Sequence, residues 1–92
     1  MKDQHTKIVG YRSLTQDEID LMNKIKLHGQ VMQELISEVK LHVLNQRRGC
    51  ATKGEEDRLT AAEPERWTAI SKTHMQEALM SLTRAVAQPT SF

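Results

Sequence analysis

Apolar or small residues recur at steps of three and four between residues 19 and 43, and this spacing restricts the fold more than any other feature. The residues are Ile19, Met22, Ile25, Gly29, Met32, Ile36, Val39 and Val43. Such steps place side chains on one face of an α-helix and predict a long amphipathic helix. The sequence Thr15-Gln16-Asp17-Glu18 is a capping box, so we expect the helix to occupy residues 15–47. At about 1.5 Å per residue it spans roughly 45 Å, longer than a compact domain of this size is wide.

A second helix is predicted from Pro64, whose fixed φ suits a first helical turn, to residue 88, just before Pro89. Its apolar side is expected to carry Trp67, Ile70, Met75, Ala78, Leu79, Leu82, Ala85 and Val86. Residues 48–63 are polar and predict a mobile connector, in which Gly49 is able to take a positive φ beyond the last turn of the first helix. A short connection makes the two helices antiparallel neighbours, with Gly29, Ala78 and Ala85 allowing close approach.

The predicted fold is all-α, with a single helical domain over residues 1–92. It comprises an N-terminal arm (1–14), the long helix (15–47), the connector (48–63), the second helix (64–88) and a C-terminal tail (89–92). A two-helix hairpin cannot cover both faces of its longer helix, and a chain of this size buries only about 60 to 65 % of its unfolded surface. We therefore expect the chain to self-associate as a homo-oligomer.

Composition disfavours several classes of partner. With 13 lysines and arginines against 12 aspartates and glutamates, the net charge of +1 lacks the basic excess that binding to polymeric nucleic acid requires. No apolar run has the length of a signal peptide or a membrane span, which predicts a soluble protein without a membrane partner. Cys50 is the single cysteine, so we expect a reducing cytoplasm and interpret Cys50 as an ordinary loop thiol.

The sequence carries no recognisable catalytic or metal-binding motif. The four histidines, His5, His28, His42 and His74, contain no pair at i,i+4, and motifs for an activated nucleophile or a phosphate-binding loop are absent. We therefore predict a protein that is not an enzyme and that uses no metal or cofactor.

Tyr11, Arg12 and Lys26 are the first group of candidate binding residues. The Tyr11 ring follows a glycine outside the apolar stripes and can stack on a nucleotide base or pack against a neighbouring chain. The Arg12 guanidinium can form a bidentate hydrogen bond with a phosphate or pair with an acidic residue. Lys26 lies beside the core position Ile25 at the edge of the apolar stripe, where it can reach a phosphate or remain solvated.

Arg66, Arg84 and Thr90 are the second group. Arg66 precedes Trp67 in the first turns of the second helix. Arg84 lies in the last turns of that helix, where it can bind a phosphate or neutralise the negative end of the helix dipole. Thr90 belongs to the C-terminal tail, and its hydroxyl can cap, bind a ligand or remain in solvent.

The order and spacing of these residues resemble those of a known family. The matching segments are Gly10-Tyr11-Arg12-x-Leu14, Glu18-Ile19-x-Leu21-Met22-Asn23-x-Ile25-Lys26-x-x-Gly29, Arg66-Trp67-x-Ala69-Ile70 and Leu82-x-Arg84-Ala85-Val86-Ala87-x-Pro89. Together they resemble the phage anti-CBASS family of cyclic-oligonucleotide sponges, over nearly the whole chain except residues 47–63. The resemblance implies a helical hairpin that assembles into a homohexamer. It also implies sequestration, without cleavage, of second messengers made by bacterial cGAS-like enzymes.

The resemblance further implies roles for individual residues. In the family, a tyrosine and a lysine at the matching places grip cyclic dinucleotides such as 3′,3′-cGAMP between subunits, which implies that role for Tyr11 and Lys26, with Arg12 beside them. A second family pocket takes cyclic trinucleotides, and its candidates here are Arg66 or Arg84 with Thr90. The implied place of action is the cytoplasm of the infected bacterial host. An alternative from the residues alone is a small helical adaptor whose apolar stripe binds another protein.

Overall fold

The computed structural model describes residues 13–91, which form three α-helices. They are α1 (Gln16–Arg48), α2 (Lys53–Ala62) and α3 (Pro64–Ala87). Within this range no residue is in a β-strand, in agreement with the predicted all-α class. The predicted N-terminal arm lies outside the described residues except for its last two positions.

Helix α1 begins at the predicted capping box. The Glu18 N–H donates to the Thr15 hydroxyl at 3.2 Å, and the Thr15 N–H donates to the Glu18 carboxylate at 2.8 Å. Acidic residues occupy the first turn and arginines the last, which suits the helix dipole at both ends. Gly49 does not use the positive φ that is open to glycine, since its φ is −93°. The Gly49 N–H instead continues the helical pattern and donates to the Asn45 carbonyl at 2.9 Å.

Helix α2 is a correction to the predicted connector, because 10 residues of that segment are helical. The helix begins after Thr52, whose hydroxyl accepts from the Glu55 N–H at 3.2 Å. It ends at Glu63, which adopts a left-handed conformation with a φ of 52°. Leu59 is the one buried residue of α2, at 2 % exposure. A single buried apolar position in a polar segment leaves no periodic signal, so the sequence pattern did not indicate this helix.

Helix α3 starts with Pro64, as predicted, and ends one residue before the predicted boundary at 88. Gln88 follows it with a left-handed φ of 53°. The predicted apolar side is wrong at Trp67 and Leu82, which are 55 % and 54 % exposed. Thr68, the neighbour of Trp67, is 8 % exposed and takes the buried position. The Thr68 hydroxyl offsets its burial by donating to the Glu65 carbonyl at 2.9 Å.

Helices α1 and α3 pack side by side in the predicted antiparallel hairpin, with the end of α1 beside the start of α3. Gly29 of α1 faces Leu79 of α3, and a Cβ on Gly29 would lie 2.8 Å from Leu79 Cδ1. Gly29 therefore allows the close approach that was predicted for it. Ala78 and Ala85 are exposed, so the predicted contribution of these alanines to the contact is wrong.

The hairpin is elongated and leaves much of its apolar surface exposed. It measures 66 × 22 × 16 Å, and its radius of gyration of 20.0 Å exceeds the ~12 Å expected of a compact domain of this length. The exposed large apolar residues are Ile19, Leu21, Leu27, Val31, Leu35, Val39, Leu41, Leu44, Trp67, Met80 and Leu82. Each long helix covers one apolar stripe of the other, and the remaining apolar side chains are exposed.

An ion pair between Arg47 of α1 and Glu65 of α3 joins the two helices at the closed end of the hairpin. Arg47 Nη2 donates to Glu65 Oε1 at 2.8 Å, and Arg47 Nε donates to Glu65 Oε2, so the pair is bidentate. Arg47 Nη2 also donates to the Leu59 carbonyl at 3.5 Å, and Arg47 thereby contacts both other helices. The hydrogen bonds from Arg47 lower the pKa of Glu65 to about 2. The same contact raises the pKa of Arg47.

The lowered pKa makes the contribution of this ion pair depend on pH. Because the folded-state pKa of Glu65 lies below its ordinary value of 4.5, the stabilisation is present above pH 4.5 and is lost as the pH falls toward about 2. We expect the wild-type protein to lose more free energy of unfolding over this interval than Glu65→Gln, as measured by urea unfolding at each pH. Asp20→Asn, which neutralises an exposed carboxylate near the other end of α1, is the matched control. Equal losses in wild type and Glu65→Gln would contradict the assignment.

The contact between Gly29 and Leu79 determines the effect of placing alanine at position 29. Alanine favours a helix over glycine by about 0.8–1 kcal/mol, but here its Cβ must displace the Leu79 side chain. In a Leu79→Ala background we expect Gly29→Ala to raise the free energy of unfolding by about 1 kcal/mol, and by less in the otherwise wild-type chain. Urea unfolding at one protein concentration measures both changes. The same gain in both backgrounds would show that the two residues are not coupled.

Candidate functional site

A long groove runs between α1 and α3 along one side of the hairpin. Its volume is about 920 Å³. Apolar side chains in the groove include Met22, Ile25, Ile36, Met75 and Leu79. Amide side chains also line it, namely Asn23, Gln30, Gln33 and Gln76. A surface of this kind suits a ligand that combines apolar faces with polar edges.

Four cationic residues line this groove, and no carboxylate does so within residues 13–91. Lys26 and Lys40 come from α1, and Lys72 and Arg84 come from α3. Because the helices are antiparallel and Gly29 meets Leu79, Lys26 and Arg84 share one end of the groove while Lys40 and Lys72 share the other. The two lysines of α1 are 14 positions apart, or about 21 Å along the helix axis. Both ends therefore attract anions, with no acidic neighbour in the groove to compensate.

The C-terminal tail folds back toward Arg84. Arg84 Nη2 donates to the Ser91 carbonyl at 3.3 Å. Pro89 of the same tail lines the groove, so the tail carries Thr90 past the end where Lys26 and Arg84 lie. Since a guanidinium group has five N–H donors, the bond to Ser91 leaves others to bind an anion. The exposed Arg84 can therefore hold the tail and contact a ligand at the same time.

Arg66 lies outside the groove. Its guanidinium carbon is 5.1 Å from the centroid of the Trp67 ring, and its Nη1 is 4.0 Å from Glu63 Oε2. Arg66 precedes Arg84 by 18 positions of α3, which corresponds to about 27 Å along the helix axis. A single protomer therefore cannot bring both arginines to one small ligand.

Among the predicted site residues, the hairpin brings Lys26 and Arg84 to one end of the groove, with Thr90 in the adjoining tail. Tyr11 and Arg12 lie outside the described residues, so their roles stay predictions.

Sequence analysis missed Lys40, Lys72 and the amides of the groove. A partial signal was present in α1, where Lys26, Gln33 and Lys40 recur every seven residues and so share one face of the helix. That signal does not show which residues of α3 stand opposite. Lys72 becomes part of the site only through the packing of the two helices.

A smaller cavity of about 430 Å³ lies beside Cys50, between the end of α1 and the start of α2. His42 and Glu55 also line it, and Cys50 is a half-buried free thiol. Across the described part of the chain, no group of three or more histidine, cysteine, aspartate or glutamate side chains is placed to hold a metal ion. No helix in that part combines the length and hydrophobicity needed to cross a membrane.

The chain is similar to known proteins along nearly its whole length. The family model of the Acb2/Tad1 hairpin domain matches residues 4–87. Anti-CBASS protein 2 of Pseudomonas phage JBD67 is 41 % identical over 105 aligned positions, which cover 97 % of this chain and 97 % of that protein. The family match spans α1, α2 and α3 and therefore the residues of these helices that line the groove.

Proposed function

The chain belongs to the Acb2/Tad1 hairpin family, and we propose on this basis that it is a phage anti-CBASS protein. It binds cyclic di- and trinucleotide second messengers, such as 3′,3′-cGAMP, and sequesters them without cleavage. It acts in the cytoplasm of the infected bacterial host, where CBASS effectors then stay inactive because their activating messenger is bound.

The observation that carries this proposal is the groove end lined by Lys26 and Arg84, with no carboxylate among the described residues that line the groove. A cyclic oligonucleotide has anionic phosphodiesters on a ring and flat bases with apolar faces and polar edges. The cations suit the phosphodiesters, the amides suit the edges of the bases, and side chains such as Met22 and Ile25 suit their faces. Sequestration needs these binding groups and no nucleophile or metal.

Lys26 is the central residue of the proposed cyclic dinucleotide site, together with Tyr11 and Arg12. Its position at the end of the groove beside Arg84 supports a role in binding phosphate. Tyr11 contributes its ring as a stacking surface for a base, worth about 1–3 kcal/mol. Arg12 contributes a second positive charge beside that of Lys26. Its guanidinium group can donate two parallel hydrogen bonds to phosphate oxygens.

The proposed cyclic trinucleotide pocket uses Thr90 with an arginine of α3, either Arg66 or Arg84. Arg84 contacts the tail that carries Thr90, whereas Arg66, about 27 Å away along α3, reaches the same ligand only from another protomer. A homohexamer is the assembly we propose. The exposed apolar residues of α1 and α3 provide the surface for that association.

Sequestration inactivates a messenger by mass action. The protein must bind the messenger more tightly than the effector does, and it must exceed the messenger in concentration. Groove residues on the packed helices α1 and α3 suit this task, since a preformed site loses little binding free energy to ordering.

A second candidate function is a small oligomeric adaptor that binds another protein. The observation in its favour is the row of exposed apolar residues, which includes Leu35, Val39 and Leu82. An adaptor assembles as the sponge does but gives no response to cyclic nucleotides.

Calorimetric titration with 3′,3′-cGAMP tests the proposed function directly. We expect heat that saturates at a fixed stoichiometry, and recovery of the intact cyclic nucleotide by chromatography after the complex is denatured. The linear dinucleotide of the same bases is the matched control and should bind more weakly, because it must lose conformational freedom on binding. Linear product from the cyclic ligand would indicate a phosphodiesterase. No heat with this or any other cyclic di- or trinucleotide would favour the adaptor.

Substitution of Lys26 tests the assignment of the dinucleotide site. Loss of one charged hydrogen bond is worth about 1.5–3 kcal/mol, so we expect Lys26→Ala to weaken 3′,3′-cGAMP binding by roughly 10- to 100-fold. Combined with Tyr11→Ala it should abolish measurable binding while the mass of the oligomer is retained. Lys24→Ala is the matched control, because Lys24 is an exposed lysine of α1 that does not line the groove. Unchanged affinity in a well-assembled double variant would refute the site.

A further inference from the structure

The groove is longer than the proposed dinucleotide site requires. Lys26 and Arg84 occupy one end, and Lys40 and Lys72 lie about 21 Å away at the other. A cyclic dinucleotide is a single compact ring, and one that contacts Lys26 does not extend to Lys40. The proposed function therefore leaves the second pair of cations without a role.

Among residues 13–91, Lys40 and Lys72 also lack an acidic partner. Both side chains are exposed, and no ion pair found among residues 13–91 includes either of them. The groove beside them is lined by apolar side chains such as Ile36 and Met75. A partner that is complementary to the Lys40 and Lys72 end of the groove presents carboxylates next to apolar side chains.

The outer face of α1 presents that combination. Leu27, Val31 and Leu41 on this face are 59 %, 54 % and 57 % exposed. Glu34 and Glu38 are exposed as well, and no ion pair in the described part of the chain includes them. The positions 27, 31, 34, 38 and 41 follow steps of four and three, so the five side chains form one stripe along the helix. We call these five residues the outer stripe.

The outer stripe and the groove face different directions. At 3.6 residues per turn, the centre of the stripe lies about a third of a turn around α1 from the centre of the groove positions Lys26, Gln33 and Lys40, and its edge borders other groove residues such as Gln30. A protomer therefore cannot insert its own stripe into its own groove. The stripe covers about 21 Å along α1 with Glu34 at its midpoint, so a stripe whose glutamates meet Lys40 and Lys72 extends about half of that length toward Lys26.

We propose that the groove receives the outer stripe of a second copy of this chain. Glu34 and Glu38 of one protomer pair with Lys40 and Lys72 of the next, and the apolar members of the stripe pack on the apolar lining of the groove. The contact joins two different surfaces, so it is heterologous, and repeated contacts of this type form a ring when the rotation between copies closes. The Lys26 end remains for the ligand. This inference rests only on the self-association included in the proposed function.

Charge reversal and its compensation test this contact in the absence of nucleotide. We expect Lys40→Glu with Lys72→Glu to lower the average mass in sedimentation equilibrium by at least about twofold, because like charges then face each other across the contact. Glu34→Lys with Glu38→Lys should do the same. The variant with all four substitutions should regain the wild-type mass, since every pair is opposite in sign again. Far-UV circular dichroism verifies that each variant retains its helices.

Two further variants keep the test specific. Arg48→Glu with Lys53→Glu makes the same change in net charge outside the groove and the stripe, and it should retain the wild-type mass. Lys40→Gln with Lys72→Gln removes the pairing without introducing repulsion, and it should lower the mass even if the reversed variant fails to fold.

A monomeric wild type, an unchanged mass after either reversal, or no recovery in the fourfold variant would overturn the proposed contact. Titration of 3′,3′-cGAMP into the wild type reports on the proposed function separately. Absence of binding in a protein whose mass responds as expected would count against sequestration and not against the contact.

Discussion

One α-helix can cover only one side of another, and this constraint governs the whole molecule. Helices α1 and α3 each partly cover the stripe of the other that faces them, and most of their remaining apolar side chains stay exposed. The result is a hairpin 66 Å long and 16 Å thick, in which Val43 and Leu59 are the buried apolar residues within residues 13–91. A large apolar surface of this kind favours association with further copies, which our proposals for assembly use.

Two contacts set how α1 and α3 align. Gly29 lets the helices approach near the middle because a larger residue would meet Leu79 there. The bidentate pair of Arg47 and Glu65 joins the closed end and also reaches the Leu59 carbonyl of α2. Alignment matters for the site, since it decides which residues of α3 stand beside the cations of α1. A shift of one turn, about 5.4 Å, would separate the paired cations at the two ends of the groove.

The groove combines apolar side chains with positive charge, and the two components serve different purposes. Apolar contacts supply binding free energy for any flat or aliphatic partner. The cations select an anion, and their placement in two pairs about 21 Å apart allows one groove to serve two partners. We assign a cyclic nucleotide to the end with Lys26 and a neighbouring protomer to the end with Lys40. On this view, assembly and binding of the messenger depend on the same packing of α1 against α3.

The sequence by itself determined the features that depend on near neighbours in the chain. The capping box at Thr15, the start of α3 at Pro64 and the periodic face of α1 each follow from a few adjacent residues. The structure agrees with the first two, and with the periodic face except at Ile19 and Val39, which are exposed. The sequence did not indicate α2, whose buried side chain is Leu59 alone, nor the exposure of Trp67. Only the tertiary structure decided that Lys72 and Arg84 line a groove with Lys26 and Lys40, and that Arg66 does not. The physical reason is that a groove between two helices depends on their relative alignment, which is set by contacts between residues far apart in the sequence.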